Sequence, residues 1–176
     1  MRTLEQTRRL SVSATSPKLA VTATATGGGA ITVRFADNAV AGLSEATLAS
    51  EISAAVRGAF AGYRKGLTSI FGSDPMAAEH PRLPREHPAA RRRRRFVESA
   101  GELNVQTTSP GRVVQMRWRG TDRIDFRLRP GHAAELNPPE ERLAEEVNAV
   151  IASTMAERRR AGRKLFTQVH QPAEER

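Results

Sequence analysis

Apolar and polar residues alternate along two stretches of this chain. Residues 18–35 contain two alternating runs separated by a glycine turn at 27–29, and residues 114–128 repeat the pattern around a turn at 120–122 with larger apolar side chains. Period-two alternation on both sides of such a turn is typical of an antiparallel hairpin with one buried face. Because a short strand-like segment precedes each hairpin, the pattern predicts two three-stranded antiparallel meanders.

Apolar residues at helical spacing follow each predicted meander. Ser44 is suited to cap a first helix, whose apolar stripe comprises Leu48, Ile52, Val56, Phe60, Tyr63 and Leu67. Asn137 is suited to cap a second, with Pro138 in its first turn and Glu140 placed for a capping box. The second stripe comprises Leu143, Val147, Val150, Ile151, Thr154 and Met155. The predicted fold class is α+β, with two tandem β-β-β-α units in which helices cover one face of each sheet.

The two units are similar in sequence as well as in pattern. Residues 10–35 align with residues 103–128 without a gap, and the turn Thr-Ser-Pro at 15–17 recurs at 108–110. A period this long is not that of a solenoid repeat, so it indicates two copies of one small domain. Each copy has only about 70 residues, close to the lower limit for an independent core, and we therefore expect the copies to associate.

Prolines and charges between the units are typical of an extended linker, with a short helix over 89–100 ending at Gly101. The predicted divisions are a first unit at 1–71, a Pro-rich and Arg-rich linker at 72–100, a second unit at 101–170, and a disordered tail at 171–176.

Composition argues against catalysis. The chain has no cysteine, so thiolate chemistry and Cys-based metal sites are excluded. The four histidines fall in predicted linker, loop or tail without metal-ligand spacing, and the glycine turn joins two strands, unlike a phosphate-binding loop. We predict no enzyme activity, no metal and no cofactor.

No apolar run approaches the roughly 20 residues of a membrane helix, and the first residues lack the apolar core of a signal peptide. The expectation is a soluble cytoplasmic protein.

A net charge of +9 favours a polyanionic partner such as DNA, RNA, anionic membrane or an acidic protein. The densest basic segment is the run Arg91, Arg92, Arg93, Arg94 and Arg95. This run either neutralises phosphates or is a solvated, self-repelling linker.

Two further basic sets have alternative interpretations. The second set, at the end of the second helix, comprises Arg158, Arg159, Arg160, Arg163 and Lys164, and its counterparts in the first helix are Arg64 and Lys65. These cations either contact a polyanion or complement the helix dipole. The third set is Arg112, Arg117, Arg119, Arg123 and Arg127, which forms either a basic binding sheet or a solvent face. Trp118 is predicted to lie in the core, since it is in register with Met116.

The polar turns, the strand pairs VTATATGGGAITVRF and VVQMRWRGTDRIDFRL, and the long helices with basic C-terminal parts together resemble the YbaB/EbfC nucleoid-associated family. The segment LASEI at 48–52 also resembles YbaB-like proteins associated with type VII secretion. The resemblance implies an antiparallel sheet flanked by helices, association of two units, and DNA binding with little sequence preference through the second basic set and its counterparts, Arg64 and Lys65. Members of the family usually begin with a long helix, whereas only nine residues precede the first predicted strand here.

These observations predict two units paired as an intramolecular pseudo-dimer or, alternatively, between chains as a homodimer. The protein is expected to bind duplex DNA non-specifically in the cytoplasm, at the nucleoid, without a membrane partner. The arginine run at 91–95 and the basic end of the second helix are expected to contact phosphates. The rival hypothesis is a chaperone or adaptor for a secretion-system substrate, without DNA binding. RNA binding is a third hypothesis.

Overall fold

The computed structural model describes residues 2–71 and 86–170, which form five helices and six strands. The helices are α1 (Arg2–Arg9), α2 (Ala39–Gly42), α3 (Glu45–Phe71), α4 (Pro88–Gly101) and α5 (Pro139–His170). The strands are β1 (Ser11–Thr15), β2 (Val21–Thr26), β3 (Ile31–Phe35), β4 (Asn104–Thr108), β5 (Val114–Arg119) and β6 (Arg123–Leu128). No described helix is long and apolar enough to cross a membrane. The remaining part of the predicted linker, 72–85, and the predicted tail, 171–176, lie outside the described residues.

Both predicted meanders are confirmed. The strands form two three-stranded antiparallel sheets, in the orders β1-β2-β3 and β4-β5-β6. A buried serine closes each first turn: the backbone N–H of Val21 donates to Ser16 Oγ, and that of Val114 donates to Ser109 Oγ, each at 3.1 Å. The fold is therefore α+β, with short helices α1 and α4 added in front of the meanders.

One face of each sheet is buried against the long helices, as the alternation predicted. The inward side chains are Val21, Ala23, Ala25, Ile31 and Val33 in the first sheet, and Val114, Met116, Trp118, Ile124 and Phe126 in the second. They belong to a single hydrophobic cluster that also contains Leu48 and Ile52 of α3 and Leu143 and Ile151 of α5. Trp118 is 3% exposed and meets Phe60 of α3 edge-to-face at 4.8 Å between ring centroids, so its predicted core position is confirmed.

Three glycines spaced four residues apart bring α3 close to β1. A Cβ on Gly58 would lie 2.9 Å from Ala14 Cβ, and one on Gly62 would lie 2.6 Å from Val12 Cγ1. The third, Gly66, faces Leu10 at 2.8 Å. These distances are well below carbon–carbon van der Waals contact. The helix therefore packs on β1 at a distance that only glycine allows.

Gly62→Ala is expected to lower the melting temperature. The added methyl overpacks against the stiff β-branched Val12, which costs about 1–3 kcal/mol, and this exceeds the gain of up to about 1 kcal/mol in helix propensity. The control is Gly162→Ala in α5, where no described atom beyond the local helix backbone lies within 4 Å of the added Cβ, so the propensity gain should raise the melting temperature or leave it unchanged. Circular dichroism melts compare the two variants. Equal shifts in the same direction would contradict the close approach of α3 to β1.

The chain has two halves, one ending with α3 and the other beginning with α4. Each long helix also hydrogen-bonds to the outer strand of the opposite half: α3 to β6 and α5 to β3. Ser53 Oγ on α3 accepts from the backbone N–H of Phe126 in β6 at 3.0 Å. Asn148 on α5 does the same for β3: its Oδ1 accepts from Val33 N at 2.7 Å, and its Nδ2 donates to Val33 O at 3.2 Å. Backbone groups on the outer edges of both sheets are thus satisfied by side chains of the opposite half.

A glutamate at the start of each long helix makes a second pair of contacts between the halves. The carboxylate of Glu45 accepts from Gly131 N at 3.0 Å and Ala133 N at 3.4 Å, and Glu140 Oε1 accepts from Val40 N at 3.2 Å. These bonds tie each helix start to the segment that follows the meander of the opposite half, which is the short helix α2 in the case of Val40.

The contact of Glu140 corrects the capping box predicted with Asn137. The helix α5 begins at Pro139, and the Glu140 carboxylate reaches the other half instead of the local backbone. The capping-box prediction is therefore wrong. The cap predicted for α3 is confirmed, because Ser44 Oγ accepts from the backbone N–H of Thr47 at 3.3 Å.

The helices in front of the meanders differ in how far the sequence predicted them. Helix α4 corresponds to the short helix expected within 89–100. Helix α1 was not predicted, because its eight residues lack an apolar stripe; an exposed ion pair between Arg9 and Glu5 at 2.7 Å lies along it. Gly27 has no Cβ, which allows the C-terminal end of α1 to lie against the β2–β3 turn, because a Cβ there would overlap the carbonyl of Thr7.

Candidate nucleic-acid interface

The arginine run lies within α4, which has one partly buried side and one exposed side. The helix starts at Pro88, and the backbone N–H of Ala89 donates to His87 Nδ1 at 3.2 Å. The partly buried side chains recur at helical spacing and include Ala89, Arg93, Phe96 and Ala100. The remaining arginines of the run, Arg91, Arg92, Arg94 and Arg95, are exposed.

An aromatic pair joins α4 to the end of α5. The rings of Phe96 and Phe166 meet edge-to-face at 5.9 Å between centroids. Phe96 directly follows Arg95, and Phe166 lies two residues after Lys164, so the pair brings the two predicted basic sets into one region. We define the basic surface as the exposed side chains Arg91, Arg92, Arg94, Arg95, Arg159, Arg160, Arg163 and Lys164.

The positive charge of the basic surface is largely uncompensated by nearby carboxylates. Arg160 Nη1 lies 3.1 Å from Glu157 Oε1, but both side chains are exposed, so the pair is weak and screened by salt. In the described part of the chain, no other member of the surface pairs with a carboxylate. The surface therefore offers seven cations to an external anion.

Arg158 stands apart from its basic neighbours. Its Nη2 donates to the carbonyl of Gly120, and its guanidinium carbon lies 4.6 Å from the centre of the Trp118 ring. Burial lowers the pKa of Arg158. Arg158 Nη1 and Trp118 Nε1 are buried without a protein partner among the described residues. The structure thus gives Arg158 a packing contact with Trp118, and we leave it out of the basic surface.

Arg158→Met is expected to lower the melting temperature by roughly 2–8 °C. It removes the bond to Gly120 and the cation–π contact with Trp118, together about 1–2 kcal/mol. The control is Arg159→Met, which deletes the same charge at an exposed neighbouring position and should change stability by less than about 0.5 kcal/mol. Thermal melts in the same buffer compare the variants. Equal stability losses would contradict the packing role of Arg158.

Arg64 and Lys65 lie on α3, outside the basic surface. Both are exposed on α3, and both line a groove between α3 and α4. Arg57 lines the same groove and was missed by sequence reasoning, although the spacing i, i+7, i+8 from Arg57 to Arg64 and Lys65 places all three on one helix face. The structure therefore brings the first-helix cations close to α4, but across a groove from it.

The outer face of the second sheet carries the third basic set except Arg112, which lies in the turn between β4 and β5. Arg117, Arg119 and Arg127 line a depression of about 320 Å³ with neighbouring polar side chains. Arg119 Nη2 pairs with Asp125 Oδ2 at 3.1 Å, and Arg117 Nε donates to Asn104 Oδ1 at 3.1 Å. These bonds within the face partly satisfy its arginines, which distinguishes it from the basic surface.

Acidic and histidine side chains form no cluster that could hold a metal ion within residues 2–71 and 86–170. Comparison with known proteins found no matching family model, no similar curated protein and no similar solved structure.

Proposed function

We propose that this chain is a non-enzymatic, nucleoid-associated protein that binds duplex DNA with little sequence preference through the basic surface. The observation that carries the proposal is the set of four exposed arginines on α4, joined to the basic end of α5 by the Phe96–Phe166 pair. Cations in such an array neutralise phosphates and release condensed counterions.

The dimensions of α4 suit a phosphate backbone. Its 14 residues span about 21 Å, a length of duplex axis over which each strand carries roughly six phosphates. Phosphate contacts position a protein on the duplex without carrying sequence information, so similar affinity for unrelated sequences is expected. The proposed location is the nucleoid in the cytoplasm.

The reciprocal contacts between the halves support the further proposal of an intramolecular pseudo-dimer of two related units. Ser53 and Asn148 lie 95 residues apart, and their strand partners, Val33 and Phe126, lie 93 apart. Glu45 and Glu140 also lie 95 apart and make corresponding contacts with the opposite half. In an isologous pair, residue i of the first unit contacts residue j of the second, while residue j of the first contacts residue i of the second.

Sedimentation equilibrium tests this pairing. The pseudo-dimer is expected to have the mass of one chain over a wide concentration range, since its contacts are satisfied within the chain. A stable species of two chains would indicate exchange of halves between molecules.

Fluorescence anisotropy of a labelled, mixed-sequence duplex tests DNA binding directly. Titration at several salt concentrations should give affinities that fall steeply with salt and agree between unrelated sequences. Folded protein that fails to bind even at low salt would contradict the proposal. The same titration with single-stranded and duplex RNA tests the third hypothesis.

A chaperone or adaptor role is the second candidate function. It is favoured by the groove between α3 and α4, whose apolar lining offers nothing to a phosphate backbone. Isolation of the protein from cells with nuclease treatment separates the candidates, because an adaptor retains a stoichiometric protein partner while a nucleoid protein loses its DNA.

A further inference from the structure

A groove of about 760 Å³ lies between α3 and α4, and the β5–β6 turn also lines it. Its volume is within the range of roughly 300–1,000 Å³ that is usual for binding sites. Its apolar lining consists of Phe60, Ala61, Leu67, Phe96, Val97 and Ala100.

The apolar wall contributed by α4 is open to solvent. Val97 is 51% exposed, although it lies beside Phe96, which packs against α5. A half-exposed valine in a concave apolar lining gains free energy when a partner covers it. The groove therefore presents apolar surface that the described residues leave uncovered.

The charges around the groove are mainly positive. Arg57, Arg64 and Lys65 of α3 line it from one side and are exposed, while Asp122 is the only carboxylate among its described lining residues. A partner that covers the apolar lining must also meet these three cations. Charge complementarity therefore favours an acidic partner.

We infer that this groove is the docking site for an acidic amphipathic helix of a partner protein. Bulky apolar side chains at i, i+3 or i+4, and i+7 would contact Val97, Phe60 and Leu67, as in other helix-in-groove complexes. Flanking Asp and Glu side chains would pair with Arg57, Arg64 and Lys65. A second copy of this chain is a poor occupant, because two molecules of net charge +9 repel each other.

The inference is independent of DNA binding through the basic surface. The residues that line the groove, including Val97 and Arg57, lie outside the basic surface, so they would matter to the helix alone. Substitutions at Val97 and Arg57 can therefore separate the two activities.

The experiment uses the full chain and a fluorescent 21-residue peptide with leucines at i, i+4 and i+7 positions and glutamates on the flanks. A scrambled peptide of the same composition, which cannot form an apolar stripe, is the control. Anisotropy should show the amphipathic peptide binding at least tenfold more tightly than the scrambled one. Equal binding would mean that charge alone is recognised, which would overturn the inference.

Two substitutions locate the peptide. Val97→Asn and Arg57→Glu should each weaken peptide binding at least tenfold, and Val97→Asn should change DNA affinity less than threefold. The matched control is Leu19→Asn, at a 72% exposed turn position with φ 59° that asparagine tolerates well; it should leave peptide binding unchanged. Peptide binding that survives both groove substitutions would overturn the inference. Binding to anionic vesicles with the same dependence on Val97, in the absence of peptide binding, would also overturn it.

Discussion

Replacing the four exposed arginines of α4 by glutamine is expected to reduce both the affinity for DNA and the salt dependence of binding. The variant carries Arg91→Gln, Arg92→Gln, Arg94→Gln and Arg95→Gln. Each lost phosphate contact lowers the slope of log K against log salt by about 0.9, so the slope should fall by roughly 3–4. Raising salt from 50 to 200 mM should then reduce the variant's affinity by about 10²-fold less than it reduces that of the parent protein.

The design leaves α4 intact. Glutamine is nearly as good a helix former as arginine, and the partly buried Arg93 is retained. Melting temperature and helical circular dichroism signal should therefore be close to those of the parent protein, which separates loss of binding from loss of structure.

The matched control removes the same amount of charge elsewhere. Four other exposed arginines are replaced by glutamine: Arg112, Arg123, Arg127 and Arg129. Both variants have a net charge of +5, four less than the +9 of the parent. The control should keep most of the salt slope. An equal loss in both variants would indicate that net charge or the outer face of the second sheet attracts DNA, and would contradict the assignment to α4.

Asn148→Ala is expected to lower the free energy of unfolding by about 2 kcal/mol, or roughly 4–8 °C in melting temperature. The substitution leaves the backbone N–H and C=O of Val33 without the side-chain amide that satisfies both. An unsatisfied buried or half-buried backbone group costs about 1–3 kcal/mol. Alanine has the higher helix propensity, so a purely local effect would raise stability.

Gln168→Ala provides the control, because it replaces an exposed amide on the same helix. It should leave stability unchanged or slightly higher, as measured by chemical denaturation with tryptophan fluorescence from the buried Trp118. If Asn148→Ala were as stable as this control, the side chain of Asn148 would not be needed at the outer edge of β3.

The strands and long helices could be predicted because their signals are local. In β2 and β3 every inward residue is apolar, and in α3 the stripe from Leu48 to Phe60 recurs at helical spacing. Burial of one face is required by any packing arrangement of such segments, so the pattern alone determines which face turns inward. The cap at Ser44 is equally local.

The partners of individual charged residues could not be predicted in this way. Arg158, Arg159 and Arg160 are identical in sequence terms, yet only Arg158 packs on Trp118. A signal was present, because Arg158 continues the stripe of Ile151 and Met155 by one further turn. Glu140 was assigned to a local capping box since its spacing allowed one, but its carboxylate bonds to Val40 in the other half.

The sequence by itself determined the two meanders, the two long helices and the excess of positive charge, because alternation, helical spacing and composition do not depend on distant contacts. Only the tertiary structure decided that Asn148 satisfies Val33, that four arginines of α4 are exposed while Arg93 is partly buried, and that α3 and α4 enclose a groove. Each of these depends on which surfaces of separate elements meet in space. Pairings of this kind involve residues far apart in the chain, and no local pattern encodes them.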